Sequence, residues 1–248
     1  MNKKNKLIEI KNLYKKYDNN ELNVIDNISF DVYKGEIVSI VGTSGCGKST
    51  LLNIISGLTK KTSGEINYYF NKENIGYMMQ EPALFPWFNV KKNAELGCLI
   101  KRIDNESYID KLLERYGLRE FENKFPNSLS GGMKQRVSLI RTISTKPDLL
   151  LLDEPFAALD YQSRLLISKD VYDLIKENNT TAIIITHDIS EAISMSDRVI
   201  VLSKRPCKIK TIYDIKLEQK QDPINNRKDK LFLHYYELIG QDLDLFNE

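Results

Sequence analysis

The sequence predicts an α/β fold in which helices cover a mostly parallel β-sheet, with a small antiparallel sheet at one flank and a block of helices inserted into the chain. Three observations support this fold class. Strands with period-two alternation precede residue 34. Three helical segments follow one another between residues 90 and 144. After residue 147, short apolar strands alternate with helices, which is the order that builds a parallel sheet.

Two segments near the start of the chain have the pattern of strands with one buried face. Residues 7–17 (LIEIKNLYKKY) and 24–32 (VIDNISFDV) alternate apolar and polar side chains. The polar sequence at 18–20 (DNN) predicts a turn between them. We expect residues 7–17 to form an edge strand, and both strands to belong to the antiparallel sheet that flanks the core.

A glycine-rich loop lies between a predicted buried strand at 36–41 and a predicted apolar helix at 48–58. The loop consists of Gly42, Thr43, Ser44, Gly45, Cys46, Gly47, Lys48, Ser49 and Thr50. It fits the phosphate-loop pattern, in which two glycines separated by four residues are followed by Lys and a hydroxyl residue. The flanking strand and helix are the context that this pattern requires, and they argue against a glycine-rich turn that binds nothing.

The residue types of the loop suit phosphate groups and a metal ion. Gly42, Gly45 and Gly47 allow backbone conformations that turn successive N–H groups into one concave anion site at a helix N-terminus. Lys48 supplies a positive charge for the outer phosphates, and the Ser49 hydroxyl is an oxygen ligand suited to Mg²⁺. The loop therefore predicts a site for a phosphate chain together with Mg²⁺.

The middle of the chain changes character after Gln80, which closes a predicted strand at 75–79. Residues 81–88 (EPALFPWF) contain prolines and aromatic residues, a composition that is unfavourable for helix or strand and rich in side chains that prefer a partner surface. Beyond them, apolar residues recur at helical spacing. The predicted helices span 90–99, 106–118 and 131–144, so that a helical insertion enters the α/β domain.

Two adjacent carboxylates end a strand that is predicted to be buried on both faces. Leucines 149–152 precede Asp153 and Glu154. In phosphate-loop enzymes such an acidic residue is the second anchor of the metal ion, and a neighbouring carboxylate can accept a proton from an attacking water. A surface turn or a helix start is the alternative for an Asp-Glu pair, and the phosphate loop upstream argues against it.

The rest of the chain continues the α/β alternation. Helices are predicted at 161–176, 190–196 and 229–238, and strands at 181–186, 198–202 and 208–215. The sequence contains no repeat, low-complexity stretch or long linker, so we expect no second independent domain.

Composition argues against several classes of protein. The 248 residues carry 36 basic and 34 acidic side chains, and this net charge of +2 gives no reason to expect nucleic acid as a partner. Three cysteines without a CxxC pair argue against disulfides and zinc and suit a reducing cytoplasm. The N-terminus does not resemble a signal peptide, and the apolar runs are too short to span a bilayer. We therefore expect any membrane attachment to come through a partner.

The sequence LSGGMKQR at 129–136, taken alone, predicts a loop leading into a helix with Ser130 as its N-cap. Read with its neighbours, it resembles the signature sequence of the ATP-binding-cassette (ABC) ATPases, and the other motifs of that family occur in the family's order. They are Tyr17, where an aromatic residue stacks on adenine, the phosphate loop, Gln80 as the Q-loop residue, LLLLDEP at 149–155, the D-loop residues Ala158, Leu159 and Asp160, and His187 as the switch histidine. The resemblance covers nearly the whole chain.

The resemblance implies a fold and an activity. The fold is a P-loop NTPase (RecA-like) core formed by residues 1–80 and 147–248, with a helical subdomain at 81–146, in a single ABC ATPase domain spanning 1–248. The activity is hydrolysis of ATP to ADP and phosphate, with Mg²⁺ as cofactor.

The resemblance also assigns roles to single residues. Ser49, Gln80 and Asp153 would hold the metal ion. Three residues would serve catalysis. Glu154 would polarise the attacking water, His187 would contact the γ-phosphate, and Gln80 would sense the metal ion and the water and report to a partner surface. Two assignments stay open, because Tyr14 is a rival for the stacking role of Tyr17 and a lone His at a strand end is often only hydrogen-bonded.

A further implication of the resemblance is that two copies of the chain share each site in a head-to-tail dimer. Ser130, Gly131 and Gly132 open a helix N-terminus, which suits a terminal phosphate, and would contact the ATP held by the phosphate loop of the second copy.

Within the family, the sequences SGCGKST, EPALFPWFNV and LDEPFAALD resemble the ATPase subunits of nitrate, sulfonate and taurine importers. Most of those proteins differ at Thr43 and have Gly where Ala157 stands, which weakens a specific substrate assignment. The resemblance implies a position on the cytoplasmic face of the membrane, with separate permease subunits as direct partners and a substrate-binding protein as an indirect one. The aromatic residues Phe85, Trp87 and Phe88 would suit a groove that receives a short permease helix, with packing under the helical insertion as the alternative.

Three other functions would be expected to differ from this one in sequence or in coupling. An exporter or a lipoprotein-release ATPase would use the same catalytic chemistry and is the main alternative. A soluble ABC protein of DNA repair or translation would carry a coiled-coil insertion, zinc-binding cysteines or two cassettes in one chain. A small-molecule kinase would have no use for the signature sequence.

Overall fold

The computed structural model describes residues 5–17, 22–218 and 220–245, which form two β-sheets and eight α-helices. The strands are β1 (Lys6–Tyr17), β2 (Leu22–Tyr33), β3 (Ile37–Val41), β4 (Ser63–Tyr68), β5 (Ile75–Met78), β6 (Leu149–Asp153), β7 (Thr181–Ile185), β8 (Arg198–Leu202) and β9 (Ile209–Asp214). The helices are α1 (Lys48–Ser56), α2 (Val90–Lys101), α3 (Glu106–Arg115), α4 (Gly131–Ile143), α5 (Tyr161–Glu177), α6 (Ile189–Met195), α7 (Pro223–Asn226) and α8 (Lys230–Asp242).

The larger sheet has the strand order β5-β6-β7-β3-β8-β9. The first five of these strands run parallel, and β9 pairs antiparallel with β8 at the edge. Every residue of β3, β6 and β7 is buried. Strands of a parallel sheet covered on both faces must be apolar on both sides, which is why these segments appear in the sequence as continuous apolar runs. The predicted α/β fold with a mostly parallel sheet is confirmed.

The smaller sheet is antiparallel, as predicted, and has the order β2-β1-β4. The prediction that residues 7–17 form an edge strand is wrong, because β1 is the central strand of this sheet. Ile10, for example, is the Cα partner of both Phe30 in β2 and Ile66 in β4. Alternation in a sequence reports one buried face, and it does not report how many neighbours the strand pairs with. The turn predicted at 18–20 lies outside the described residues.

Helices α2, α3 and α4 follow one another between β5 and β6 in the chain, at the place of the predicted helical insertion. Their apolar faces share one core with β6 and α5, in which Leu113, Ile140, Leu152 and Val171 are almost completely buried. Helix α3 ends at Arg115 rather than at residue 118, since the chain turns at Gly117 with φ 64°.

The C-terminal part of the chain differs from its prediction in extent. Helix α8 continues to Asp242 rather than ending at residue 238, and the short helix α7 was not predicted. Across the three described ranges, no helix is both long enough and apolar enough to span a bilayer.

The carboxyl ends of three adjacent strands bring the predicted site residues to one edge of the large sheet. Ile40 of β3 and Asp153 of β6 are both Cα partners of Ile185 in β7. The phosphate loop begins directly after β3, Glu154 follows β6, and His187 lies just beyond β7. Side chains that are far apart in the sequence therefore meet at the position where open α/β sheets bind ligands.

Candidate active site

The glycines of the phosphate loop are needed for two different reasons, which are a left-handed backbone conformation at two positions and a lack of space for a side chain at the third. Gly45 and Gly47 have φ values of 71° and 129°, conformations that favour glycine. Gly42 has no such conformation, and its requirement is space. A Cβ atom at Gly42 would lie 3.1 Å from Cys46 Sγ and 3.2 Å from Leu202 Cβ. The expectation that all three glycines have unusual backbone conformations therefore holds for two of them.

Lys48 begins helix α1 and is 6% exposed. Its ammonium group donates to the carbonyl oxygens of Gly42 at 2.8 Å and Thr43 at 3.0 Å, so the side chain curls back over its own loop. The first turn of α1 has no acidic residue to compensate the positive end of the helix dipole. Ser44 and Gly45 are exposed at the outer side of the loop. The loop thus combines a helix N-terminus and an ammonium group, which together attract an anion.

Asp153 lies at the end of β6 and is 2% exposed. Its Oδ1 atom is buried and has no hydrogen-bond partner among the described residues. Burial raises the pKa of Asp153 above its ordinary value, and a hydrogen bond with Ser49 lowers the pKa in part. A buried carboxylate oxygen without a proton donor is costly unless a cation meets it. Asp153 and the Ser49 hydroxyl are hard oxygen ligands, so these residues fit the predicted Mg²⁺.

Glu154 has the left-handed conformation, with φ 48°, which is uncommon for a residue with a side chain. Its Oε2 atom accepts a hydrogen bond from Gln80 Nε2 at 3.1 Å and lies 3.5 Å from His187 Nδ1. The structure therefore brings together the three residues that were predicted to be catalytic. Gln80 stands beyond the end of β5, and the side chain of His187 is 61% exposed.

The signature residues lie at the N-terminus of α4. The Ser130 hydroxyl caps this helix by accepting a hydrogen bond from Met133 N at 3.3 Å, and both Ser130 and Gly131 are exposed. A Cβ atom at Gly132 would lie 3.0 Å from Leu159 Cδ2. A larger residue at this position would force Leu159 to shift, so glycine suits the close packing of α4 on the D-loop of the same chain.

Asp160 ends the D-loop and caps helix α5. Its side chain accepts a hydrogen bond from Ser163 N at 3.0 Å, and the hydrogen bonds from Ser163 lower the pKa of Asp160. The carboxylate is therefore part of the helix start, where a negative charge is stabilising.

Tyr17 is the last residue of β1 and is 37% exposed. Its Cα partner is Leu22, at the start of β2, and Lys15 Nζ lies 4.2 Å from its ring centroid. Val24 also belongs to β2, and its Cγ1 atom would lie 3.1 Å from a Cβ atom at Gly47. This end of the β1–β2 pair is therefore next to the phosphate loop. Tyr14 lies on β1 with Tyr17 and is half-buried.

Two contacts at the site involve residues for which the sequence predicted no role. Gln135 Nε2 donates to the backbone carbonyl of Glu154 at 3.1 Å, and Arg205 Nη2 donates to the carbonyl of Gly45 at 2.6 Å. The only signal for Gln135 was its place inside the LSGGMKQR sequence. No local sequence pattern predicts the role of Arg205, because its contact joins the loop after β8 to the phosphate loop, far away in the chain.

An aromatic cluster lies a few residues after Gln80. The ring centroids of Phe85 and Trp87 are 5.2 Å apart, those of Phe85 and Phe88 are 5.9 Å apart, and Trp87 is 65% exposed. Asn93, which is fully buried, accepts a hydrogen bond from Phe85 N at 2.8 Å and donates to the carbonyl oxygens of Phe85 and Phe88. The hydrogen bonds of the buried Asn93 side chain thus hold the backbone of this segment in place, and the segment exposes an apolar surface to solvent.

Comparison with known protein families gives one clear match. Residues 25–157 match the family model described as ABC transporter. This span includes the phosphate loop, Gln80, the signature sequence and both carboxylates at the end of β6.

Three curated relatives are ATP-binding proteins of importers. The chain is 37% identical to the taurine import ATP-binding protein TauB of Roseobacter denitrificans over 219 residues, covering 83% of this chain and 81% of the relative. It is 39% identical to the aliphatic sulfonates import ATP-binding protein SsuB of Bacillus cereus, covering 78% and 79%. It is also 39% identical to the spermidine/putrescine import ATP-binding protein PotA of Mycoplasma capricolum, covering 81% of this chain and 60% of the relative.

A solved structure with the same fold is an ATP-binding cassette captured as a dimer after hydrolysis, bound to ADP and Pi. It is 30% identical to this chain, covers 85% of it and 99% of its own length, and superimposes with a TM-score of 0.76.

We predict that Asp153→Asn removes the response of the protein to Mg²⁺. The pKa of Asp153 is raised by burial, so the ionised form at neutral pH opposes folding, and this cost disappears only when the pH falls low enough to protonate the carboxylate. Without ligands, the variant should therefore melt about 2 °C higher than the wild type at neutral pH. Adding Mg²⁺ to the ATP-bound protein should raise the melting temperature of the wild type but not that of the variant.

The matched control is Asp148→Asn, since Asp148 is exposed at the opposite end of β6 and accepts a hydrogen bond from Asn74. This control should keep the Mg²⁺ response. An undiminished Mg²⁺ response in Asp153→Asn, measured by thermal unfolding with and without a chelator, would contradict the metal assignment.

Proposed function

The chain belongs to the ABC transporter family as an ATP-binding subunit whose ATPase activity is coupled to transport, and we propose that it powers an importer of small anions such as sulfonates, taurine or nitrate. In this proposal two copies close on ATP in a head-to-tail dimer, on the cytoplasmic face of the membrane, and act on separate permease subunits. The observation that carries the catalytic part is the contact of Gln80 and His187 with the Glu154 carboxylate at the phosphate-loop edge of the sheet.

The proposed chemistry divides the work between the loop and the carboxylates. The phosphates of ATP lie at the N-terminus of α1, where Lys48 meets the outer phosphates. Ser49 and Asp153 hold Mg²⁺, with Gln80 as the third proposed ligand, and the ion neutralises charge on the phosphates when it is bound. Glu154 takes a proton from the attacking water, and His187 contacts the γ-phosphate. Tyr17, beside the loop, is proposed to stack on the adenine ring.

A shared site is supported by the exposure of the signature residues. Ser130 and Gly131 present the N-terminus of α4 to solvent, and a helix N-terminus with free N–H groups suits a phosphate. The related cassette captured with ADP and Pi is a dimer. We infer that the second copy supplies the ATP for this helix end, so that nucleotide binding drives association.

The proposed docking surface for the permease is the region beside Gln80. It combines the exposed aromatic cluster of Phe85, Trp87 and Phe88 with a groove between β5, α2 and α4. Arg141, which lines this groove, donates to the carbonyl oxygens of residues 82 and 83 in the segment that carries the cluster. Exposed aromatic side chains and a groove are features of sites that receive a short helix. In this proposal residues 81–146 act as a helical subdomain that moves against a core formed by 1–80 and 147–248.

The substrate class is proposed from the relatives rather than from the site. The taurine and aliphatic sulfonate import proteins match most of this chain, and both of those substrates carry a sulfonate group. The spermidine/putrescine relative has similar identity, but the chain covers a smaller share of its length. An exporter or lipoprotein-release system is the alternative, because its ATPase subunit would perform the same chemistry. A binding protein would present the solute to the permease in the importer.

We expect Glu154→Gln to keep ATP binding, to lower the hydrolysis rate at least about a hundredfold, and to trap an ATP-bound dimer. The amide cannot accept the proton from water, whereas the contacts with phosphate remain. Hydrolysis is measured by phosphate release, and association by size-exclusion chromatography with ATP. Glu177→Gln, an exposed substitution at the end of α5, is the control and should behave as the wild type. Normal hydrolysis by Glu154→Gln would remove Glu154 as the base.

Mixing two inactive variants tests the shared site. Ser130→Ala loses the helix cap at the signature, and Lys48→Ala loses the ammonium group that meets the phosphates. A heterodimer of the two contains one site with an intact phosphate loop and an intact signature. We expect the mixture to regain up to roughly a quarter of the wild-type rate, which is the statistical share when half of the dimers are mixed and each has one working site. A mixture of folded variants with no activity would count against sharing.

The substrate class is tested by purifying the complex that this chain forms with its membrane partner and reconstituting it in lipid vesicles with the binding protein. Taurine or a short alkanesulfonate should stimulate ATP hydrolysis, and spermidine should not. The complex carrying Glu154→Gln is the control for contaminating ATPases. Stimulation by a polyamine, or coupling to outward movement of a lipid or lipoprotein, would overturn the proposed anion import while leaving the ATPase assignment intact.

A further inference from the structure

The helix that starts at the signature sequence contacts the proposed catalytic carboxylate residue within the same chain. Gln135, in the second turn of α4, donates from Nε2 to the backbone carbonyl of Glu154 at 3.1 Å. We propose that Gln135 is a positioning residue, which holds Glu154 in its hydrolytic orientation and links that orientation to the position of α4. This inference rests on the proposed role of Glu154 in hydrolysis.

The burial of Gln135 indicates that its amide is placed for this contact. Gln135 is 3% exposed, although most glutamines lie at the surface. Helix α4 is enclosed on other faces as well, since Val137 and Ile140 are fully buried. A buried primary amide without a partner is strongly unfavourable, so the hydrogen bond to Glu154 satisfies a group that the fold has enclosed.

The backbone of Glu154 needs such support. A residue with a side chain persists at φ 48° only when its surroundings hold it there. The N–H of Glu154 donates to the carbonyl of Ile185 in β7 at 2.9 Å, and its carbonyl accepts from Ala157 N at 3.3 Å as well as from Gln135. The bond from Ala157 lies within the turn at 154–157, whereas the bond from Gln135 comes from a different element, α4. Loss of the bond would let the peptide after Glu154 rotate and displace the carboxylate.

The same helix carries the surface that is proposed to meet the second copy's ATP. Ser130 and Gln135 are five positions apart on α4, a separation of about 7.5 Å along the helix axis. Between them, Gly132 packs tightly against Leu159 of the D-loop. A shift of α4 when a phosphate occupies its N-terminus is therefore transmitted to Glu154 over a short, densely packed path. Alignment of the base then follows closure of the dimer.

The test uses two substitutions that keep the size of Gln135 and remove the N–H donor. Gln135→Met and Gln135→Leu are both apolar side chains of similar volume and have no hydrogen-bond donor. We expect both, in the full-length chain, to lower the single-turnover hydrolysis rate about tenfold to a hundredfold, since displacing a reacting group by an ångström has an effect of this order. ATP affinity, measured by titration, should stay within about twofold of the wild type, because the phosphate loop is untouched.

A control separates positioning from damage to the helix. Thr142→Val removes a buried hydroxyl from the last turn of α4, where Thr142 donates to the carbonyl of Ser138 at 2.9 Å. Its melting temperature should fall slightly while its hydrolysis rate stays at the wild-type level. If Thr142→Val lowers the rate as much as the Gln135 variants do, general loosening of α4 explains the result and the proposal is overturned.

The deciding measurement is made in the Glu154→Gln background. The double variant Gln135→Met/Glu154→Gln should form the ATP-bound dimer as readily as Glu154→Gln alone, since Gln135 acts on hydrolysis and not on binding. Loss of that dimer, or wild-type hydrolysis by Gln135→Met while Glu154→Gln is inactive, would overturn this inference alone. Normal hydrolysis by Glu154→Gln itself would instead refute the proposed role of Glu154, so the two failures are distinguishable.

Discussion

The parallel register of β3, β7 and β6 is the constraint on which the rest of this molecule depends. Asp153 of β6 and Ile40 of β3 both pair with Ile185 of β7, which lies between them. The phosphate loop, the acidic pair and the segment with His187 therefore leave the sheet at the same edge. Every residue of these three strands is buried, and their largely apolar sequences allow the sheet to be covered on both faces. The site is thus assembled by the core, and its loops add chemistry to an edge that the core already aligns.

Glu154 is the residue on which separate parts of the fold converge. Its backbone is held by β7 and α4, and its carboxylate is met by Gln80 from the end of β5 and by His187 from the end of β7. These contacts come from three segments of the chain, namely β5, α4 and β7 with the residues that follow them, and α4 in turn begins at the exposed signature residues. A movement in any of these segments therefore changes the surroundings of one carboxylate. This arrangement gives a physical basis for coupling hydrolysis to association with other proteins.

Several features of the site lower the stability of the folded chain without ligands, as is typical of ligand-binding sites. Asp153 is buried with one oxygen unpartnered among the described residues, and burial raises its pKa. Glu154 has a conformation that opposes folding. Lys48 turns its ammonium group onto the carbonyls of its own loop. A cation and a phosphate chain would relieve the first of these costs and give Lys48 a stronger partner, so ligand binding and local stability are linked.

The sequence by itself determined the features that depend on local pattern. The phosphate loop, the buried strand before Asp153 and the helix start at Ser130 follow from residue types at fixed spacing, and they lie where the pattern predicts. What only the tertiary structure decided is which segments become neighbours. It placed β1 in the middle of its sheet rather than at the edge, and it brought Gln135 to Glu154 and Arg205 to Gly45. Strand pairing and hydrogen bonds between distant segments are set by how the elements pack, and no local period in a sequence records that packing.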